Sequence, residues 1–450
     1  MPPSEVSSIH TVIEVPPKEN LDKACTGLDQ FLEGGTAAWC TVIGGALVQS
    51  CGFGYTSSFG VYQDFYTLHY LTNESSSAIS FGVSDIQSLD DSWIGSTNAF
   101  LTTSFGIVAG ALYDRGYFYH LMIGGSLLQS SALFMLSLAQ PGQYYQIFLA
   151  QGIALGIAQG TLYVPTVAVV SHHFHKRRTL AMSLVASGTP LGAIVHPVML
   201  NNLFNRGVGF ANGVRISAAF ISILLLIACL LIRTRLEPPK CSPKLPVRRK
   251  GCVCTTCRFV SCVLGKLLFF QMGFYYPLFY FQIDSVKHGN SETFSFYSLV
   301  LLNGGNLIGR LSAGFIASRV GVPRLIILST AVCAILIFGM IGLNRVATVV
   351  VLGTIYGYFA GTYITMLPPT MTLLTSDFSE IGARMGIGMT MTGFGSLLGG
   401  PISGALLTSQ YKWWQPSLFN GLISLTGCGM LIIMQLALTR RKRSAETQEP

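Results

Sequence analysis

The chain has 450 residues, of which 50% are apolar and only 10% are Asp, Glu, Lys or Arg, against roughly 25% charged in an ordinary soluble domain. Its mean hydropathy is +0.53. Too little charge is present to cover a water-soluble surface, which disfavours a soluble enzyme, a coiled coil, a disordered scaffold and a nucleic-acid-binding module, and leaves a bilayer as the natural solvent. The net charge of +9 must then be explained by its placement.

Residues 1–36 read as a disordered cytosolic tail. Residues 1–32 mix Pro, Glu, Lys and Ser and contain no apolar core of the kind a secretory signal carries. A membrane-crossing helix needs about 20 mostly apolar residues. Twelve such segments follow, near 37–62, 93–113, 117–139, 144–171, 179–203, 214–232, 259–283, 294–316, 323–343, 346–374, 382–408 and 415–438. Barrel strands would be short and alternating, so the expected class is an all-α membrane protein. The polar stretch 233–258, with Pro238-Pro239 and Arg248-Arg249-Lys250, reads as a cytosolic linker between an N-terminal six-helix half (37–232) and a C-terminal one (259–438). Residues 439–450 form a second polar tail.

Basic residues orient the helices. With both termini cytosolic, 22 Lys and Arg fall on inside segments and 5 on outside loops, a strong positive-inside bias. The net charge thus reports topology, not a nucleic-acid partner. The sequon Asn73-Glu74-Ser75 falls in an outside loop of this arrangement, as a glycosylation site must. Of the 11 cysteines, several lie inside apolar runs, which is not a disulfide framework.

The halves repeat. Gly152, Gly156 and Gly160 precede Pro165 in the fourth segment; Gly353, Gly357 and Gly361 precede Pro368-Pro369 in the tenth. The loop Gly110-Ala111-Leu112-Tyr113-Asp114-Arg115-Gly116 has its counterpart in Gly314-Phe315-Ile316-Ala317-Ser318-Arg319-Val320-Gly321. Offsets between 201 and 204 residues imply two parallel six-helix repeats, although a single glycine pair would also arise by chance in glycine-rich membrane helices.

Four stretches carry a family resemblance. Glu33-Gly34-Gly35-Thr36-Ala37-Ala38-Trp39 is similar to the acidic-Gly-Gly…Trp motif that opens the first helix of the monocarboxylate-porter branch of the major facilitator superfamily. His173-Phe174-His175-Lys176-Arg177-Arg178-Thr179-Leu180-Ala181…Gly188 resembles the signature that enters its fifth helix. Gly110–Gly116 resembles the general superfamily loop, and Asn303–Arg310, continuing to Gly314, resembles its eighth helix. In its fungal form that branch includes both short-acid importers and metabolite exporters. The resemblance implies a major facilitator fold with substrate between the halves and rocking alternate access. Two departures stand out. The lactate carriers have a lysine in the first helix, where this chain has Tyr55-Thr56-Ser57-Ser58-Phe59. They also have an aspartate one turn before the eighth-helix arginine, where this chain has Asn306. Residues 81–91 resemble an insertion in the first outside loop.

Arg310 lies within or at the inner end of a hydrophobic segment, and an intramembrane arginine costs about 2.5–3.5 kcal/mol on insertion scales, so it faces a cavity or a partner. Its planar fork suits a carboxylate; the competing role is to mark the inner helix end. Asn306, Gln271, Tyr276 and Tyr280 join it as candidate substrate-binding residues, and Tyr275 and Gln282 of the same seventh segment also suit a cavity wall, the tyrosines fitting an interfacial belt as well. His196, before Pro197, is a proton-coupling candidate or a plain helix-to-helix hydrogen-bonding residue. Lys266 is expected to snorkel to the inner surface. Asp114, Arg115 and Arg319 are candidate gating residues. Cys252, Cys254, Cys257 and Cys262 suit juxtamembrane palmitoylation, or no role, better than metal. There is no Walker loop and no nucleophile–base constellation, so no enzyme activity, cofactor or metal is expected.

The sequence reading is therefore a secondary transporter for a small, monocarboxylate-like organic anion, with or without protons. Export of a larger organic acid or secondary metabolite is the alternative, and a non-transporting nutrient sensor is the alternative of another class. The plasma membrane is the expected site, with the vacuolar membrane as the other choice.

Overall fold

The computed structural model describes residues 34–66, 93–174, 176–205, 208–235, 253–343, 345–373, 381–407 and 412–446. Asn73, the 81–91 stretch, Glu33, Cys252 and the centre of the expected linker lie outside them. No strand occurs among the described residues.

Twelve helical segments run in chain order. α1 comprises Thr36–Gln49, a π-helical turn Ser50–Gly54 and Phe59–Phe65. α2 is Trp93–Ser104 with Gly106–Asp114, and α3 is Phe118–Leu136. α4 comprises Tyr144–Ile147, a second π-helical stretch Phe148–Ala154 and Leu155–Ala168. α5 is Arg178–Ala186 with Gly188–Asn205, and α6 is Phe210–Leu231. Then come α7 Val253–Lys287, α8 Glu292–Val320, α9 Val322–Gly339, α10 Val346–Leu373, α11 Ile381–Leu407 and α12 Trp414–Glu446. Eight of the twelve are long and apolar enough, by length and composition, to cross a membrane. The other four (α2, α3, α7 and α11) are diluted by Ser, Thr, Gln and Gly, and α7 carries Lys266.

Two helices outrun their expected ends. α7 already begins at Val253, inside the stretch read as linker, and α12 continues through Arg440-Arg441-Lys442-Arg443 to Glu446. Lys and Arg are good helix formers, so an apolar helix propagates into a basic tail without a stop signal. The extension of α7 also corrects the expectation for Lys266. Thirteen residues of helix separate it from Val253, about 20 Å of rise, which no lysine stem spans. Its Nζ is buried without a hydrogen-bond partner, 4.3 Å from the centre of the Tyr363 ring and 5.8 Å from that of Phe270.

Two hydrophobic cores result. One joins residues of α1–α6, from Ala38 to Ile232, and takes in Met385 of α11; the other joins residues of α7–α10 and α12, from Leu267 to Met434, with Leu407 at the end of α11. Lipid tails are as apolar as leucine, so helix pairs inside each unit are held by close backbone approach. The repeated glycines supply it. A Cβ on Gly357 or Gly361 would meet the carbonyls of Leu302 and Asn306 in α8 at 2.1 and 2.3 Å; one on Gly305 or Gly309 would meet those of Thr354 and Tyr358 in α10 at 2.3 and 2.0 Å. The corresponding glycines of α4, Gly156 and Gly160, would meet the carbonyls of Asn98 and Leu101 in α2 at 3.0 and 2.9 Å. The N-terminal pair is looser because α2 offers no reciprocal glycines there, Leu101 and Phe105 standing where α8 has Gly305 and Gly309.

Gly309→Val should therefore force α8 and α10 apart, at a cost of at least the roughly 1–3 kcal/mol of ordinary overpacking. Gly304→Ala, one position from the contact with nothing within 4 Å, should leave the protein unchanged. Thermal unfolding of both variants in detergent checks this, and equal melting temperatures would refute it.

Candidate functional site

The two units meet along α2 with α11 and α5 with α8. At the end carrying the Asp114 turn the contact is tight. The Asp114 carboxylate accepts the backbone N–H of Gly382 at 2.9 Å and of Ala383 at 2.7 Å. These are first-turn amides of α11, which have no partner within their own helix, so Asp114 acts as an N-cap supplied by the other unit, with its charge at the positive end of the helix dipole. The approach requires glycine on both sides: a Cβ on Gly110 would lie 2.1 Å from the Gly382 carbonyl oxygen, and one on Gly386 would lie 2.4 Å from that of Gly106. Gly314 of α8 is equally close to α5, where a Cβ would lie 2.8 Å from Leu180 Cα. Arg115 and Arg319, grouped with Asp114 in the sequence, are exposed at their helix ends, and the structure does not bring either into this contact.

Away from the Asp114 end the units part around a cavity of about 330 Å³. Its walls come from α1, α2, α4 and α5 on one side and α7, α8 and α10 on the other. Aromatic rings dominate: Phe53, Phe59, Phe274, Tyr275, Phe279 and Phe296. Tyr275 and Phe279 stack with their planes 10° apart and centroids at 5.2 Å. Amides and hydroxyls fill the gaps, among them Thr56, Asn98, Gln151, Gln282 and Asn303. Arg310 is the single charged residue among the described residues that line it.

Arg310 sits at the floor. It is 4% exposed, its Nε–H donates to Asn306 Oδ1 at 2.7 Å, and Nη1–H donates to the Ala186 carbonyl at 2.8 Å. A guanidinium has five N–H groups, so these two bonds orient it without exhausting it. Asn306 is neutral, so it fixes the fork without cancelling the charge. Tyr163 and Tyr275 lie close enough to interact with it electrostatically. Such a cavity, with one fixed cation, an amide rim and an aromatic body, suits an organic monoanion that carries a substantial apolar portion.

Of the other sequence candidates, Asn306, Tyr275 and Gln282 line the cavity, and Gln271, Tyr276, Tyr280 and His196 are not in its wall. Gln271 lies deeper, accepting the Tyr363 hydroxyl at 3.3 Å. Tyr276 and Tyr280 face the core of their own unit, bonded to Ser417 Oγ at 3.0 Å and to the Gly400 carbonyl at 3.1 Å. The wall is built one residue earlier, by Tyr275 and Phe279. α7 is aromatic all round its circumference, so periodicity alone could not choose the face. His196 is fully buried beside Tyr55 and Phe220, with ring centroids at 5.4 and 6.0 Å; neither nitrogen makes a well-formed hydrogen bond, and its neighbour Pro197 lines the cavity instead.

Residues missed in the sequence include Gln129 and Gln159. The π-helical turn in α1 disrupts the regular i→i−4 ladder. Gln129 Nε2 donates to the Cys51 carbonyl at 2.6 Å and Gln159 Nε2 to that of Gly52 at 3.2 Å, while Gln159 Oε1 accepts from Thr56 and Thr102 at 3.0 and 3.2 Å. A glutamine in an otherwise apolar span was the available signal.

Asp114→Ala should weaken closure of this end. Thiol labelling of a cysteine placed at Thr390, which bonds the Ser104 carbonyl across the interface at 3.2 Å, should rise several-fold in that background; unchanged labelling would remove Asp114 from the gate.

The model of the Major Facilitator Superfamily matches residues 76–340 and 289–450. The aspyridones efflux protein apdF of Emericella nidulans is 32% identical over 401 residues, covering 89% of this chain and 78% of that one. The agnestins efflux protein AgnL12 of Paecilomyces divaricatus is 34% identical over 397 residues, covering 88% and 87%. Among solved structures, the human organic anion transporter MFSD10 (TETRAN) superposes with a TM-score of 0.65 at 13% identity, covering 88% of this chain and 98% of that one; at that identity the likeness concerns the fold. With the twelve-helix architecture and the cavity between its two units, these matches place the chain in the major facilitator superfamily.

Proposed function

We propose that this transporter exports an acidic secondary metabolite, a ring-bearing organic monoanion, across the plasma membrane, with both termini cytosolic. The observation that carries the reading is the isolated charge of Arg310 at the floor of an aromatic cavity. Several relatives over most of the chain bear the name efflux protein, each with its own metabolite. Uptake of a short monocarboxylate, the first expectation from sequence, is not adopted. A two- or three-carbon acid leaves most of about 330 Å³ unfilled, and the lysine and aspartate of the lactate carriers are absent. The likeness to the monocarboxylate-porter branch, on Glu33–Trp39 and His173–Gly188, is kept as a statement of ancestry rather than of cargo.

Under this topology the Asp114 end is cytosolic and the present conformation faces outward. Asp114 belongs to the inner gate. Arg310 binds the carboxylate or acidic enol, Asn306 holds the guanidinium in plane, and Tyr275 and Phe279 offer a stacking face to the apolar body. A bidentate guanidinium–carboxylate pair has a geometry that an ammonium does not reproduce.

Arg310→Lys should reduce export of aromatic acids at least about tenfold, the loss of one charge-assisted hydrogen bond, while the protein still reaches the membrane. Efflux from cells preloaded with radiolabelled 2-naphthoate, beside acetate and lactate, checks both parts. Wild-type efflux of 2-naphthoate by the lysine variant would remove Arg310 from the site. Transport of acetate or lactate in preference to 2-naphthoate would return the short-acid reading.

A further inference from the structure

We infer that Arg310 grips the anion more weakly in this conformation than when the Asp114 end is open, so that the residue holding the cargo also sets the side of release. This rests on the assignment of Arg310 as the anion-binding residue.

In an unbroken helix the Ala186 carbonyl would accept the N–H of residue 190, but residue 190 is Pro190, which has none. α5 is interrupted at Ser187, between Arg178–Ala186 and Gly188–Asn205. Ala186 therefore presents an acceptor with no helical donor, at the level of the cavity floor, next to the cavity-lining Thr189 and Pro190. Inside a membrane protein such a group must be satisfied from elsewhere. Arg310, from the other unit, satisfies it at 2.8 Å.

That bond crosses the interface that has to open. One turn further toward the Asp114 end, Gly314 is packed so tightly on Leu180 and Ser183 that α5 and α8 cannot separate there while Ala186 and Arg310 stay together. With the Asp114 end closed, an anion shares the guanidinium with a backbone carbonyl. With that end open, the carbonyl moves away with its own unit, the cavity hydrates it, and Nη1 is free for the cargo. Asn306 stays on α8 with Arg310, its Oδ1 held by Nε–H, so orientation of the fork is retained in both states. Loading is then tighter on the Asp114 side and release easier on the other.

The test uses the purified full chain, 2-naphthoate as probe, and two ways of fixing the interface. Ser104→Cys with Thr390→Cys places two thiols across α2 and α11 where Thr390 Oγ1 already bonds the Ser104 carbonyl at 3.2 Å; bridging them with a reducible bis-thiosulfonate reagent holds the Asp114 end shut, and peptide mass spectrometry identifies the cross-link among the native cysteines. Gly314→Trp, a position with no room for a Cβ, wedges α5 and α8 open at that end. The wedged protein should bind 2-naphthoate about tenfold or more tightly than the cross-linked one, the ratio expected from one hydrogen bond to a charged group, and Arg310→Gln in both backgrounds should abolish the difference. Reduction of the cross-link should restore binding, which separates the effect from misfolding. Arg310-dependent binding of equal or greater strength in the cross-linked protein overturns the affinity switch and leaves the anion site standing. Binding to the wedged protein that ignores Arg310→Gln, or none at all, overturns the anion site and the switch with it.

Discussion

A helix in hydrocarbon must satisfy every one of its carbonyls, because lipid offers no donors. The places where this chain breaks a helix are therefore the places where side chains must be spent on backbone, and those places surround the cavity. α1 breaks into a π turn at Ser50–Gly54, and Gln129 and Gln159 reach its carbonyls. α4 does so at Phe148–Ala154, where the Gln151 carbonyl accepts from Asn98 of α2 at 2.9 Å and its side chain accepts from Tyr66 at 2.7 Å. α5 breaks at Ser187, and Arg310 completes Ala186. Each repair is made by a polar residue from another helix, so the irregular backbone and the polar lining form one network. Non-helical backbone at this depth is tolerated only where it is buried in protein or lines a cavity, and here it does both.

The two units are not equally stiff at their centres. α8 and α10 approach at backbone contact through glycines on both helices, whereas the backbone contacts between α2 and α4 are made at Gly156 and Gly160 of α4, Gly106 of α2 meeting the Val164 side chain. The tightly paired α8 carries Arg310 and Asn306. The looser pair faces them with Asn98, Thr102 and Gln151. A fixed cation on a rigid helix against adaptable amides is an arrangement suited to one invariant acidic group on a cargo whose remainder varies, since a preorganised charge loses little entropy on binding.

The sequence made the twelve helices, the repeat and Arg310 legible, each for a physical reason. Span length and the scarcity of charge are imposed by the bilayer; the glycine offset is imposed by close packing, which also disposes of any phosphate-binding role for those glycines. Asp114 stood out in the sequence as a gating candidate, but its partners here are backbone amides of Gly382 and Ala383, and no residue type announces an amide. The cavity face of α7 was legible only as a mixed set, because Tyr275, Tyr276, Phe279 and Tyr280 place rings on adjacent faces, and docking against α11 and α12 decides which are core. Lys266 lies far from the end of α7 because the helix runs on through the polar residues that precede the apolar run, to Val253. The Ala186 carbonyl was in principle visible, since Pro190 four residues on removes its donor, but the identity of the replacement donor is a tertiary fact.

The replacement of an acid by Asn306 has a consequence for the whole cavity. A carboxylate beside Arg310 would neutralise it and demand a proton or a rearrangement before an anion could enter; an amide leaves the unit charge in place. A fixed positive charge at low dielectric attracts an anion and repels a cation strongly, and no acidic residue among the described residues of the wall offsets it. On the proposed function, selection by charge is set at the floor, where Asn306 orients the fork through a 2.7 Å bond. Selection by shape is set above it, where the stacked pair Tyr275–Phe279 gives a planar body a surface on α7, facing the amides of α2 and α4 on the opposite unit. On the proposed function, cargo that meets both conditions would touch both units at once, since the cavity is lined by both, and that shared contact would let binding bear on the angle between them.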